Sequence, residues 1–143
     1  MFIGEYYHNL DAKGRIIIPA KFRDELNGTF ILTRGLDGCL TIYSTEKWEK
    51  IFEEINKLPE TKKATRQYIR MLTANACECT LDNQGRILIP ANLSGSVNIT
   101  KECVVVGANS HVEIWDKATW NAYMDDASEN FEDIAESLSD LIQ

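Results

Sequence analysis

Short runs of branched and aromatic residues, cut by turn residues, alternate along the chain with stretches whose apolar positions recur every three or four residues. The first pattern predicts strands and the second predicts helices. Residues 5–10 and 15–18 read as a hairpin around Asp11-Ala12-Lys13-Gly14. Residues 20–26 read as a short helix stopped by Asn27-Gly28. Two strands follow, over 29–34 and 39–43, around the turn Gly35-Leu36-Asp37-Gly38. A helix over 45–58 carries Trp48, Ile51, Phe52, Ile55 and Leu58 on one face, with Ser44 or Thr45 as its cap. A second helix over 62–73 places Lys63, Arg66, Gln67 and Arg70 together, with Ala64, Tyr68 and Leu72 on another face. That basic stripe reads as a solvated face, with an accessory phosphate contact as the alternative.

The order then recurs. Residues 77–81 and 86–89 predict a second hairpin, and 91–97 a connection less helical than its counterpart. Strands over 103–106 and 111–115 flank a turn at 107–110. The end of the chain is different. Trp120, Met124, Ala127, Phe131, Ile134, Leu138 and Leu141 form a heptad-like seam of one long helix. Such a seam must bury against something, either the 45–58 helix or a neighbouring subunit.

The recurrence is a duplication. Residues 10–20 and 81–91 both read Leu-Asp-x-x-Gly-Arg-Ile-x-Ile-Pro-Ala, too much agreement for chance. It extends to Ile42-Tyr43 against Ile114-Trp115 and to Trp48 against Trp120, with one residue inserted on the way. Asp11 and Asp82 open their turns, because a short carboxylate accepts bonds from amides just downstream. Gly14 and Gly85 stand where a tight turn calls for positive φ. Arg15 and Arg86 follow directly. Two readings stay open on the residues alone: a local Asp–Arg pair that stiffens the turn, or an arginine fork aimed at phosphate or a guanine edge.

Composition narrows the function classes. The chain is 44% hydrophobic and 26% charged, enough for a packed core, with no apolar run long enough to cross a bilayer. Its start lacks the basic-then-apolar grammar of a secretory signal, so a cytosolic protein is expected. Net charge is −7, but residues 125–143 carry seven acids and no base. The first 71 residues hold 12 bases and 10 acids, the remainder 3 bases and 12 acids. An anion-binding surface should lean on the first half, away from the acidic end. The four cysteines (Cys39, Cys77, Cys79, Cys103) and the two histidines (His8, His111) lack zinc-ligand spacing, so reduced structural thiols and no metal or cofactor are expected. No nucleophile triad or phosphate-cradling glycine loop supports an enzyme.

One unit of four short strands cannot close its own core or hide its edges. Two units can interleave into a small barrel, with Ile16-Ile17-Ile18 and Ile87-Leu88-Ile89 filling the centre. The expected fold is therefore mainly β with helices (α+β). Its organisation is a first repeat over 5–47, a helical connection over 48–75, a second repeat over 76–119 and an acidic helix over 120–143.

The doubled Asp-x-x-Gly-Arg-Ile-x-Ile-Pro motif, the start Met1-Phe2-Ile3-Gly4-Glu5-Tyr6 and the length together resemble the MraZ family of transcriptional regulators, with tandem SpoVT/AbrB-like units. The resemblance covers nearly the whole chain. It implies a double-split, swapped-hairpin β-barrel assembled as a ring homo-oligomer in the cytoplasm, associated with the nucleoid. It implies binding to double-stranded DNA at short direct repeats, and repression of the chain's own promoter and the division and cell-wall cluster. Carried onto this chain, Lys13, Arg15 and Arg86 become the DNA contacts. Asp11, Gly14, Asp82 and Gly85 support the turns, since a carboxylate facing phosphate would be repelled. The second motif has Asn83-Gln84 where the first has Ala12-Lys13, one charge fewer. The alternative function is an antitoxin-like interaction module working through the acidic tail.

Overall fold

In the computed structural model, which describes residues 1–142, the first strand of each repeat pairs with the other repeat. Strand β1 (Phe2–Asn9) runs antiparallel to β7 (Glu102–Asn109) over eight residue pairs, from Phe2↔Asn109 to Asn9↔Glu102. Its counterpart β5 (Cys77–Cys79) pairs with β3 (Phe30–Arg34) of the first repeat. Within each repeat, β3 pairs with β4 (Leu40–Ser44), and β7 with β8 (Val112–Asp116). The two halves meet where β4 pairs with β8, giving the order β1-β7-β8-β4-β3-β5. This is mainly antiparallel sheet with helices, in two repeat-like halves. β1 and β5 are the two ends of the order, so the described pairings do not form a continuous closed barrel.

Two hairpins predicted from sequence do not form as ladders. After the turn, β2 (Arg15–Ile17) leaves β1 and pairs with β6 (Arg86–Leu88), the equivalent strand of the other repeat. The physical reason lies in the alternation of these strands. Ile16, Ile18, Ile87 and Ile89 are all within 3% of complete burial, whereas Ile17 and Leu88 are 39% and 59% exposed. One face of the ribbon therefore closes the core opposite the main sheet, a position a local hairpin could not reach. Helices α1 (Ala20–Leu26) and α4 (Ala91–Ser96) close the same core with Phe22, Leu26 and Leu93. Residues 91–96 form a six-residue helix against the seven of α1, so this connection is less helical than its counterpart by one residue only. Pro90 at the cap pre-sets the entry, and Ser94 and Gly95 are tolerated in so short a helix.

The other side of the sheet carries α2 (Thr45–Ile55), α3 (Lys63–Ala74) and α5 (Lys117–Glu129). Ser44 and Asp116 cap α2 and α5 in the same way, each accepting a backbone N–H three residues on. Trp115 and Trp120 meet edge to face at 5.2 Å, over Cys39, Val104 and Val106. The buried Thr33 hydroxyl donates to the Leu72 carbonyl at 2.8 Å, tying α3 to β3. Strand β7 is longer than sequence suggested, because Gly107 is not in a turn but in the ladder opposite Gly4.

The long tail helix is broken. α5 ends at Glu129, with Asn130 as its cap, and α6 (Phe131–Ser137) and α7 (Ser139–Ile142) follow, with no buried residue in either. Only the Trp120 end of the expected seam is buried within the chain, where α5 packs chiefly on β7 and β8 rather than on α2. Gln143, the last residue of the expected tail, lies outside the described residues.

Candidate nucleic-acid interface

Each repeated motif folds into the same small machine. Asp11 Oδ1 accepts the backbone N–H groups of Lys13 and Arg15, both at 2.9 Å, and Oδ2 accepts Arg15 Nε–H at 2.8 Å. The Gly14 N–H closes the turn onto the Asp11 carbonyl at 3.0 Å, with Gly14 at φ +82°. In the second motif Asp82 accepts from the Gln84 and Arg86 N–H groups at 2.9 Å and from Arg86 Nε–H at 2.8 Å, with Gly85 at φ +75°. The sequence posed a choice between an ion pair that stiffens the turn and a guanidinium aimed outward. The geometry permits both at once, because Asp11 takes only the Nε–H of the Arg15 guanidinium. Both Nη groups of Arg15 have no protein hydrogen bond among the described residues.

The β2–β6 ribbon brings the two turns onto one face. Ile18 N–H donates to Gly85 O at 2.9 Å and Ile89 N–H to Gly14 O at 2.8 Å, so each glycine turn is tied to the opposite strand. Arg86 Nη1 then lies 3.7 Å from Asp11 Oδ2. The side chains of Arg15 and Arg86 are 30% and 21% exposed, and Lys13 is exposed.

Both aspartates are held below the ordinary carboxylate range. The largest cause in each is the backbone N–H of the following arginine, Arg15 for Asp11 and Arg86 for Asp82; desolvation works against it. Depressed folded values stabilise the turns fully above the ordinary value of 3.8 and cease to do so as pH falls through the lowered one. Carbon-detected NMR titration through the acid range should place both carboxyl midpoints below 3.8, and an ordinary midpoint at either would contradict the turn geometry.

Sequence reading missed a further arginine. Arg23, on α1, donates Nε–H to Ile18 O at 2.8 Å and lays its guanidinium over Gly85, within 2.6 Å of where a Cβ would stand. Gly85 is buried as a result. The repeat offset puts Ser94 in the corresponding place beside Gly14. A cleft of about 520 Å³ opens there, bounded by Leu10, Lys13, Gly14, Ser94 and Thr100. The signal was present as Lys21 and Arg23 on a short helix following the motif, but only the fold reveals that α1 leans over the other repeat's turn. Arg23→Ala should cost about 1.5 kcal/mol, the lower end for a hydrogen bond from a charged group because the side chain is only half buried. A denaturant melt checks this.

Elsewhere polar groups are structural. Glu113 accepts from Trp115 Nε1 at 3.0 Å and lies 3.1 Å from His111 Nε2. Burial works against its charge, and these hydrogen bonds outweigh burial to keep it low. Cys77 and Cys79 sulfurs are 3.9 Å apart, and burial, followed by the neighbouring Cys77, pushes the Cys79 thiol up to about 12. Among the described residues no cluster of His, Cys, Asp and Glu forms a metal centre, and no helix is long and apolar enough to cross a membrane.

A family model described as "MraZ protein, putative antitoxin-like" matches residues 1–71 and again residues 72–142. The two matches divide the chain at the period of the Asp-x-x-Gly-Arg turns.

Proposed function

Because the chain belongs to the MraZ family, we propose that it is a sequence-specific DNA-binding repressor that presents Lys13, Arg15 and Arg86 to direct repeats in its own promoter and the division and cell-wall cluster. The observation that carries this reading is the meeting of the two Asp–Arg turns on one face, 3.7 Å apart at Arg86 and Asp11. Four cations, Lys13, Arg15, Arg23 and Arg86, stand there against two carboxylates. Seven of the chain's acids lie in residues 125–143 and not in the turns, which is how a net charge of −7 accords with a polyanionic ligand. In this reading the main sheet and the β2–β6 ribbon are the two parts of a double-split, swapped-hairpin barrel.

Three cationic contacts per chain bind weakly. Each neutralised phosphate adds about 0.9 to the salt slope, so one subunit reaches only about 3. A ring of copies, each meeting a successive repeat, multiplies affinity through effective concentration without any new contact. Valence comes from assembly and chemistry from the turns. A mobility shift on the DNA upstream of the chain's own reading frame tests the reading, and a repeat-containing duplex that binds no better than a scrambled one would sink it.

A second reading, an interaction module acting through the acidic tail, is favoured by the exposure of Phe131 (69%) and Leu141 (80%). Deleting residues 125–143 separates the two. A regulator keeps its contact with a single-repeat duplex, because both turns are untouched. An interaction module loses partner capture.

A further inference from the structure

We propose that α6–α7 of one copy docks on α3 and the adjoining cleft of a second copy, apolar seam against apolar strip and acids against bases. This deepens the ring reading above and rests on it, but it does not depend on DNA.

The tail is an amphipathic segment without a partner. Phe131, Ile134, Leu138 and Leu141 are 69%, 43%, 45% and 80% exposed. No base follows Lys117, while Glu132, Asp133, Glu136 and Asp140 lie within these two helices. An apolar stripe of this kind is unstable in water unless something covers it.

The complementary surface is on α3. Lys63, Gln67 and Arg70 form an exposed stripe at helical spacing. Beside it lie Tyr68 and Met71, 41% and 46% exposed, and across the cleft Leu36, 73% exposed. The cleft holds about 320 Å³ between α3 and the β3–β4 turn, and Arg34 and the Leu72 side chain also line it. One carboxylate, Asp37, faces it as well. Arg66 is engaged within its own copy, donating to the Glu60 and Thr61 carbonyls, so Lys63 and Arg70 are the cations of the stripe without a partner among the described residues.

The two surfaces match in charge. Lys63 and Arg70 stand two turns apart on α3, roughly 10 Å, and Asp133 on α6 and Asp140 on α7 supply the opposite charges. Asp133 adjoins Ile134 and Asp140 adjoins Leu141, as Arg70 adjoins Met71. The occupant is a second copy because tail and cleft are different surfaces and every copy owns one of each. A head-to-tail contact of that kind generates rings when its rotation closes.

Light scattering on the full chain reads the subunit number. The wild type should scatter as an assembly, and Phe131→Asp/Ile134→Asp and Lys63→Glu/Arg70→Glu should each scatter as single chains. Combining Lys63→Glu/Arg70→Glu with Asp133→Lys/Asp140→Lys should restore the assembly, a result that general damage to folding cannot produce. Carbodiimide coupling of Lys63 to Asp133 in a mixture of light and ¹⁵N-labelled chains should give mixed-label products. Assemblies unchanged by the double variants, failure of the four-charge reversal to restore them, or coupling confined within one chain would each overturn the docking and leave the ring standing. A monomeric wild type would overturn both, while the mobility shift still reports on DNA binding separately.

Discussion

Arg15→Ala is expected to weaken operator binding more than any other single substitution in the two turns. A guanidinium reading a guanine edge contributes about 1–3 kcal/mol of discrimination. Repeated in every engaged subunit, the loss compounds through the same multivalency that gives the wild type its affinity. Arg86→Ala should cost less. Arg86 is the more covered of the two, and its Nη1 is shared with Asp11 at 3.7 Å, whereas among the described residues neither Nη group of Arg15 has a protein hydrogen bond. Lys13 stands beside Arg15, and the second motif has Gln84 in its place. A fluorescence-anisotropy series at one fixed salt concentration orders the variants. Equal losses, or none, would contradict the ranking.

The second large effect concerns the crossing of strands between repeats. Gly107→Ala would place a Cβ 2.4 Å from the Ile3 backbone nitrogen and 2.5 Å from the Phe2 carbonyl carbon. Both are backbone atoms held in the β1–β7 ladder and cannot swing aside as a side chain would. The substitution should cost about 3 kcal/mol, the upper range of overpacking, and lower the melting temperature by roughly 10 °C. Gly95→Ala is the control. Nothing lies within 4 Å of its added Cβ, and it sits in α4, so alanine there should be neutral or stabilising by about 0.5–1 kcal/mol. Parallel thermal melts check the pair. An unaffected Gly107→Ala would mean that β1 is not locked onto β7.

Local structure was legible in this sequence where one signal dominated. Residues 20–26 are helical as Asn27-Gly28 implied, and the β3 and β4 strands lie within a residue of their pattern. Both glycine turns have the positive φ that their motif calls for. Partnering was not legible. Residues 5–10 and 15–18 read as a hairpin because a tight turn joins two apolar runs, and nothing in that pattern says that each run prefers the other repeat. The alternation of Ile16, Ile17 and Ile18 between core and surface was hidden by three residues of nearly equal hydrophobicity. The tail failed for a different reason. A seam spaced four and three fixes which residues share a face, but not whether the helix survives the weak positions at Asn130 and Leu138 when no partner covers it. Among the site residues, Arg23 escaped notice because its role depends on α1 leaning over the opposite turn, a contact with no trace in linear spacing.

Guanidinium groups held by the paired turns are proposed to grip a duplex. Anisotropy on the repeat-containing upstream duplex, for the wild type and for Arg15→Ala/Arg86→Ala over a range of salt concentrations, reads that grip. The wild type should bind with a steep salt slope, and the double variant, still folded by circular dichroism, should lose both the affinity and about two units of slope for each engaged subunit. A folded double variant that binds with unchanged affinity and slope would contradict the account.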